Sequence, residues 1–214
     1  MMITKYVLIA VLSYLIGSVN FSIPVSRRLT DTDIRTQGSG NAGLTNMYRV
    51  MGPKKAGLVL LGDACKGLLV TWGALWFAGE LGGQLAMLFA VLGHVFPLYF
   101  DFRGGKGVLT TGACLAVLDG RVFLILLAVF LLLVLLTKYV SVGSLAAAVW
   151  TPVLMFLFRD ELRYQIIPLL IGLLLVFMHR ENIKRLLRGT ESKFSFKQGT
   201  KTSTAQKSSE TASA

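Results

Sequence analysis

The chain alternates long apolar runs with short polar connections, and the runs set the first expectation. Seven apolar segments stand out, at approximately 4–24, 57–79, 85–100, 109–119, 122–138, 142–158 and 165–180. Most approach the roughly 20 apolar residues that a helix needs to span a bilayer. Positions 123–136 are apolar without interruption and show no period-2 alternation, which argues against a transmembrane β-barrel. The pattern predicts an all-α, polytopic membrane protein with seven transmembrane helices. The fourth segment is short. At about 1.5 Å per residue it falls below a full span, so it reads as a half-helix or as a helix extended by its flanks.

Composition agrees: 54% of the 214 residues are hydrophobic. The net charge of +11 would suggest a nucleic-acid partner in a soluble protein. Here the placement of the cations explains it, and no nucleic acid is expected. Arg27, Arg28, Arg35, Arg49, Lys54 and Lys55 follow the first apolar run; Arg103 and Lys106 follow the third; Arg180, Lys184, Arg185 and Arg188 follow the seventh. The intervening connections hold few: none in 80–84, Arg121 in 120–121, and Arg159 and Arg163 in 159–164. Alternation of basic and non-basic loops fits seven crossings, with the N-terminus outside and the C-terminus in the cytoplasm. A six-helix count would separate Lys138 and the basic tail from the first two basic loops.

The first run has no Ala-x-Ala-like cleavage site and reads as a retained helix. Residues 1–196 form the integral membrane domain, and the Lys/Ser/Thr-rich stretch 197–214 reads as a disordered tail. No internal repeat is visible. Cys65 and Cys114 lie in apolar segments and read as packing residues rather than a disulfide.

Three polar segments fall on one face of this topology. The first, Gly38-Ser39-Gly40-Asn41-Ala42-Gly43-Leu44-Thr45-Asn46 with Arg49, combines glycines that turn N–H groups inward with Ser, Asn and Thr donors. It could be a flexible loop ending in a helix cap. Arg49 on the same helical face as Thr45 and Asn46 favours a phosphate site instead. The second, Phe102-Arg103-Gly104-Gly105-Lys106-Gly107-Val108, sets a lysine among glycines ahead of Thr110 and Thr111. It lacks the spacing of a nucleotide-binding P-loop and reads as a phosphate contact rather than a simple basic turn. The third runs from His179 to Glu191. An amphipathic surface helix explains Lys184 and Arg188, but does not call for His179 or Asn182, which share a face.

Asp63 and Lys66 stand i, i+3 inside an apolar segment, where ionisable groups are costly, and could pair. His94 precedes Phe96-Pro97, where it is equally a structural histidine near a kink. No hydrolase triad, His-x4-Asp pair or metal-ligand grouping is visible, so no metal or other cofactor is expected.

With these residues the chain resembles the bacterial acyl phosphate:glycerol-3-phosphate acyltransferases, over residues 1 to about 195. The resemblance rests on the 38–46 motif with Arg49, on Gly93-His94-Val95-Phe96-Pro97 with 102–108, and on His179-Arg180-Glu181-Asn182-Ile183-Lys184-Arg185. Leu109 replaces an expected small alanine. The resemblance implies a seven-helix enzyme of phospholipid synthesis in the bacterial inner membrane, with its active site at the cytoplasmic face. It would transfer an acyl group from acyl phosphate to the 1-hydroxyl of glycerol 3-phosphate, giving lysophosphatidic acid and inorganic phosphate. Expected partners are those substrates, membrane lipid and the enzyme that forms acyl phosphate.

Ser39, Lys106 and His179 are then the expected catalytic residues. Asn41, Thr45, Arg49, Gly104, Gly105, Gly107 and Asn182 join them in substrate binding. Lys106 and Ser39 would hold the acyl phosphate, while Arg49, His179 and Asn182 orient glycerol 3-phosphate. Either His179 or a substrate phosphate takes the proton, and the acyl chain enters between helices from the bilayer. The rival reading is a transporter for an anionic, phosphate-bearing solute.

Overall fold

The computed structural model describes residues 2–159, 161 and 164–195. The expected tail at 197–214 lies outside the described residues, as does Arg163. Among the described residues the regular structure is entirely helical: α1 (Met2–Gly17), α2 (Ser22–Thr30), α3 (Leu44–Val95), α4 (Val108–Leu118), α5 (Gly120–Thr137), α6 (Val140–Phe158), α7 (Ile166–Met178) and α8 (Arg180–Leu187). Short 3-10 turns stand at Ile34–Thr36 and Leu98–Phe100.

Among the described residues four stretches are long and apolar enough to cross a membrane, or five if α7 and α8, bent by 52°, count as one span. The longest, Leu44–Phe100, exceeds what one crossing requires. Non-helical backbone at Ala78 and Gly79 breaks α3, and Gly52, with φ of 79° ahead of Pro53, sets off its first two turns. Two apolar rods result, 53–77 and 80–95, matching the second and third predicted segments. The first predicted segment is also divided, because α1 ends at Gly17 and the chain turns before α2.

Trp72, Trp76, Leu132, Leu136 and Phe156 are exposed, and α5 buries only Val122 and Leu126. Such an apolar surface is stable facing lipid tails rather than water. The core joins the second rod of α3 to α4, α6 and α7 through Met87, Val91, Leu115, Met155, Ile171 and Leu175.

α1 packs along α3 at backbone contact distance, because a Cβ on Gly93 would lie 2.3 Å from the Tyr14 carbonyl oxygen and 2.8 Å from Ser18 N. Small residues at a membrane helix crossing allow this approach. Gly93→Ala should therefore destabilise the protein by about 1–3 kcal/mol. Gly57→Ala, on a helix face with nothing within 4 Å, should be neutral or slightly stabilising. Thermal unfolding in detergent checks both.

Candidate functional site

The first glycine loop is organised by a side chain that it partly encloses. Asn46, buried at 2% exposure, accepts the Ser39 N–H at 3.0 Å and donates its amide to the carbonyls of Gln37 and Asn41, each at 3.0 Å, and of Ile34 at 3.3 Å. Gly38 and Gly40 take left-handed φ of 59° and 71° to bring those groups inward. Since Ser39 N–H is bonded to Asn46 and Gly40 N–H to Gln37, both amides are used within the loop. The polar residues of this loop that line the cavity are Ser39, Asn41 and Thr45, beside the start of α3, where the first-turn N–H groups of a helix favour anions.

The second loop leans on the end of α3. Gly104 N–H donates to the Val95 carbonyl and Gly105 N–H to the His94 carbonyl, each at 3.1 Å. A Cβ on Gly104 would meet the His94 oxygen at 2.0 Å. Gly104 and Gly105 therefore hold the loop against the helix, whereas Lys106 and Gly107 line the cavity. Arg35 ties the two loops together from the outside. It pairs with Asp33 at 2.9 Å and donates to the Phe100 carbonyl at 2.7 Å. Its hydrogen bonds hold the Asp33 carboxyl well below the usual carboxylate range.

The third segment closes the site. Lys106 Nζ donates to Asn182 Oδ1, and Asn182 donates its amide to Glu191 Oε1 at 2.7 Å. Arg185 holds the other Glu191 oxygen at 2.6 Å. Glu191 therefore sets the orientation of Asn182; the sequence ends the third segment at Glu191 but gives it no role, because nothing in the chain marks that carboxylate as facing inward. His179 Nδ1 donates to the Leu175 carbonyl at 2.7 Å, which leaves Nε2 as the nitrogen available for chemistry. Arg49 lines the same cavity and makes no ion pair among the described residues.

These groups surround one end of a cavity of about 630 Å3. Its other wall is apolar, formed by Leu68, Ala116, Phe123, Leu127, Phe130 and Ala147 between α3, α4, α5 and α6. Of the expected site residues, Ser39, Asn41, Thr45, Arg49, Lys106, Gly107, His179 and Asn182 all border it. Asp63 and His94 reach it from below. Asp63 pairs with Lys66 at 2.7 Å.

Lipid-facing helices with a cation-rich pocket opening into an apolar trough define an integral membrane protein that handles an anion beside a hydrocarbon group. Residues 7–189 match the family model described as glycerol-3-phosphate acyltransferase. Among curated relatives, the glycerol-3-phosphate acyltransferase of Syntrophomonas wolfei is 42% identical over 187 residues, spanning 87% of this chain and 96% of that one. That of Bacillus subtilis is 38% identical over 186 residues, with the same coverage of 87% and 96%. The fold resembles the glycerol 3-phosphate form of PlsY (YgiH), an integral membrane glycerol 3-phosphate acyltransferase, with a TM-score of 0.84 and 33% identity over 89% of this chain and 96% of that one. The lysophosphatidic acid form of the same enzyme gives 0.82 and 32%. This chain belongs to the glycerol-3-phosphate acyltransferase family and is a membrane-integral acyltransferase.

The electrostatics of the pocket make a pH-dependent prediction. Burial, together with the nearby positive charges of Arg185 and Arg49, lowers the Lys106 ammonium to about 8. Only its protonated form offers a full charge to an anion, so inorganic phosphate should bind tightest below that pH and progressively more weakly above it. Lys106→Arg stays charged and should lose this alkaline limb. Titration calorimetry with inorganic phosphate across pH 6 to 10 (roughly two units either side of the shifted value) measures it.

Proposed function

We propose that this protein transfers a fatty acyl group from acyl phosphate to the 1-hydroxyl of glycerol 3-phosphate, releasing lysophosphatidic acid and inorganic phosphate. The observation that carries this reading is the single cavity in which Arg49, Lys106 and Arg185 meet an apolar trough. An acyl phosphate has that shape: an anionic head on a hydrocarbon chain. The glycerol 3-phosphate and lysophosphatidic acid forms of PlsY support the choice of acceptor and product. A transporter for a small anionic solute would have no use for the apolar arm.

Acyl phosphate is a mixed anhydride, so the glycerol oxygen attacks its carbonyl carbon directly and the carbon–oxygen bond to phosphate breaks. No acyl-enzyme is needed, and the protein's contribution is positioning and charge stabilisation. Lys106, Ser39 and the start of α3 hold the acyl phosphate; Arg49, Asn182 and His179 Nε2 orient the acceptor. The hydroxyl proton passes to an oxygen of the departing phosphate. A proton on His179 would instead create a buried imidazolium beside the Lys106 ammonium, whose charge His179 already feels.

Purified protein in detergent or lipid should release phosphate only when both substrates are present, and should form lysophosphatidic acid in equal amount. Absence of both products under varied lipid and pH conditions would overturn the reading. His179→Ala should raise KM for glycerol 3-phosphate while kcat falls less than about tenfold. A kcat loss on the order of a hundredfold or more at saturating substrate would assign the proton to His179.

We further infer seven crossings of the bacterial inner membrane, with the N-terminus outside and both loops and α8 at the cytoplasmic face. The basic segments around the three motifs support this orientation. A cysteine at Lys54 should react with a membrane-impermeant thiol reagent only in inside-out vesicles, and one at Gly120 only in right-side-out vesicles; the reverse pattern would invert the topology.

A further inference from the structure

The segment Gly93-His94-Val95-Phe96-Pro97 has no part in the roles assigned above, yet His94 sits in the last turn of α3 on the floor of the cavity, only 4% exposed. Its Nδ1 lies 3.0 Å from Lys66 Nζ. The other neighbours of that ammonium are Asp63 Oδ1 at 2.7 Å and the carbonyls of Val19 at 2.8 Å and Gly17 at 3.1 Å. An ammonium donates and cannot accept. Asp63 Oδ1 also stands 3.6 Å from Nδ1, but the closer ammonium at 3.0 Å can only donate, which makes Nδ1 the acceptor of a neutral ring and puts the ring hydrogen on Nε2.

Nε2 has no hydrogen-bond partner among the described residues. It lies at the seam between the two glycine loops, since a Cβ on Gly105 would fall 2.2 Å from Nε2 and 2.8 Å from the Ala42 carbonyl oxygen. His94 lines the cavity together with Lys106 and Thr45, so an Nε2–H that no described protein group takes is left to a ligand there. Gly105 leaves room for the ring to reach that cavity; any side chain there would cover Nε2.

We infer that His94 Nε2–H is a further donor to substrate phosphate, its neutral tautomer set by the Lys66 ammonium that Asp63 holds in place. This rests on the cavity being the acyltransferase site proposed above. The ligand chemistry is a phosphate oxyanion, carried either by acyl phosphate or by glycerol 3-phosphate.

Two variants separate binding from support. His94→Asn keeps an amide near the Nδ1 position and loses the Nε2 donor; His94→Gln carries an N–H to the Nε2 position. His94→Asn should raise KM for one of the two phosphate substrates roughly 10- to 100-fold with an unchanged Tm, and His94→Gln should recover most of it. The substrate whose KM moves is the one bound at the seam. If His94→Asn behaves as wild type, or is active while His94→Gln is not, the ring serves only its contact with Lys66 and the inference fails.

Should His94→Asn not fold, nitrogen NMR of histidine-labelled wild type gives the answer directly, because the chain has two histidines and His179→Asn assigns them. The His94 signal should report a proton on Nε2 and shift with added inorganic phosphate. A proton on Nδ1, or a His94 signal unmoved while that of His179 shifts, overturns the inference. Wild type that turns over neither substrate pair removes the parent reading; normal turnover with an indifferent His94 removes this one alone.

Discussion

The ammonium of Lys66 lies inside the helix bundle, 4% exposed, and the arrangement of both glycine loops follows from how that charge is satisfied. Taking a charge out of water costs several kcal/mol, so a buried lysine persists only with a counter-charge and a full set of acceptors. Asp63 supplies the charge from one turn away on α3. The carbonyls of Gly17 and Val19 supply acceptors that the end of α1 leaves without helical partners. This is why α1 stops where it does. Asp63 also accepts the Phe21 N–H at 3.3 Å, and Asn20 then donates to the Ala42 carbonyl at 3.0 Å and the His94 carbonyl at 3.4 Å. Ala42 belongs to the first loop, and the His94 carbonyl also receives Gly105 of the second. The two loops thus hang from one buried joint, with Arg35 bracing them from outside.

The opposite end of the bundle handles its cations differently. Arg159 pairs with Glu80 at 3.2 Å and Asp119 at 3.1 Å, and Arg121 pairs with Asp119 at 2.9 Å. Asp119 also caps α5 by accepting from Arg121 N and Val122 N. Both arginines there are matched by carboxylates, while Lys5 lies over the Phe77 ring. At the site end, among the described residues, Arg49 makes no ion pair, Lys106 donates to Asn182 and Arg185 pairs with Glu191. Loop counting in the sequence registered this contrast as a bias in cation number. The structure adds that two of the site-end cations, Arg49 and Lys106, line the cavity without a carboxylate of their own.

The apolar pattern made the helices legible, and the motif spacing identified most of the polar residues that border the cavity. What it could not convey was which polar groups look at the ligand and which at one another. Gly104 and Gly105 read as part of an anion cradle, but their amides are committed to the end of α3. Asn46 ended the first motif without a role of its own and proves to be the side chain that shapes the loop. Glu191 was invisible as a site residue because its partners, Asn182 and Arg185, lie on a helix that turns it back toward Lys106. In each case the deciding information is a contact between segments distant in sequence. Asp63 and Lys66 were the exception: an i, i+3 pair in an apolar run carries its own explanation.

The same asymmetry bears on how such a site would drive the proposed transfer. A pocket whose three cations face Glu191, its other carboxylate Asp63 being matched by Lys66, stores repulsion until an anion arrives, and the lowered Lys106 is the local sign of it. Binding a phosphate relieves that repulsion and restores full charge to the lysine. A ligand's head group is thereby drawn to one end of the cavity while its chain is set by the trough, which fixes the carbonyl carbon between the loops without any covalent anchor. The second phosphate must enter where the first has left charge unmet, on the Arg49 side. Departure of inorganic phosphate then returns the pocket to its repelling state, so the electrostatic work that positions the substrates is recovered when the product leaves. A site of this kind depends less on any one nucleophile or base than on holding more positive than negative charge around the ligand, with Asp63 spent on Lys66 and Glu191 on Arg185, so that Arg49 and Lys106 stay available.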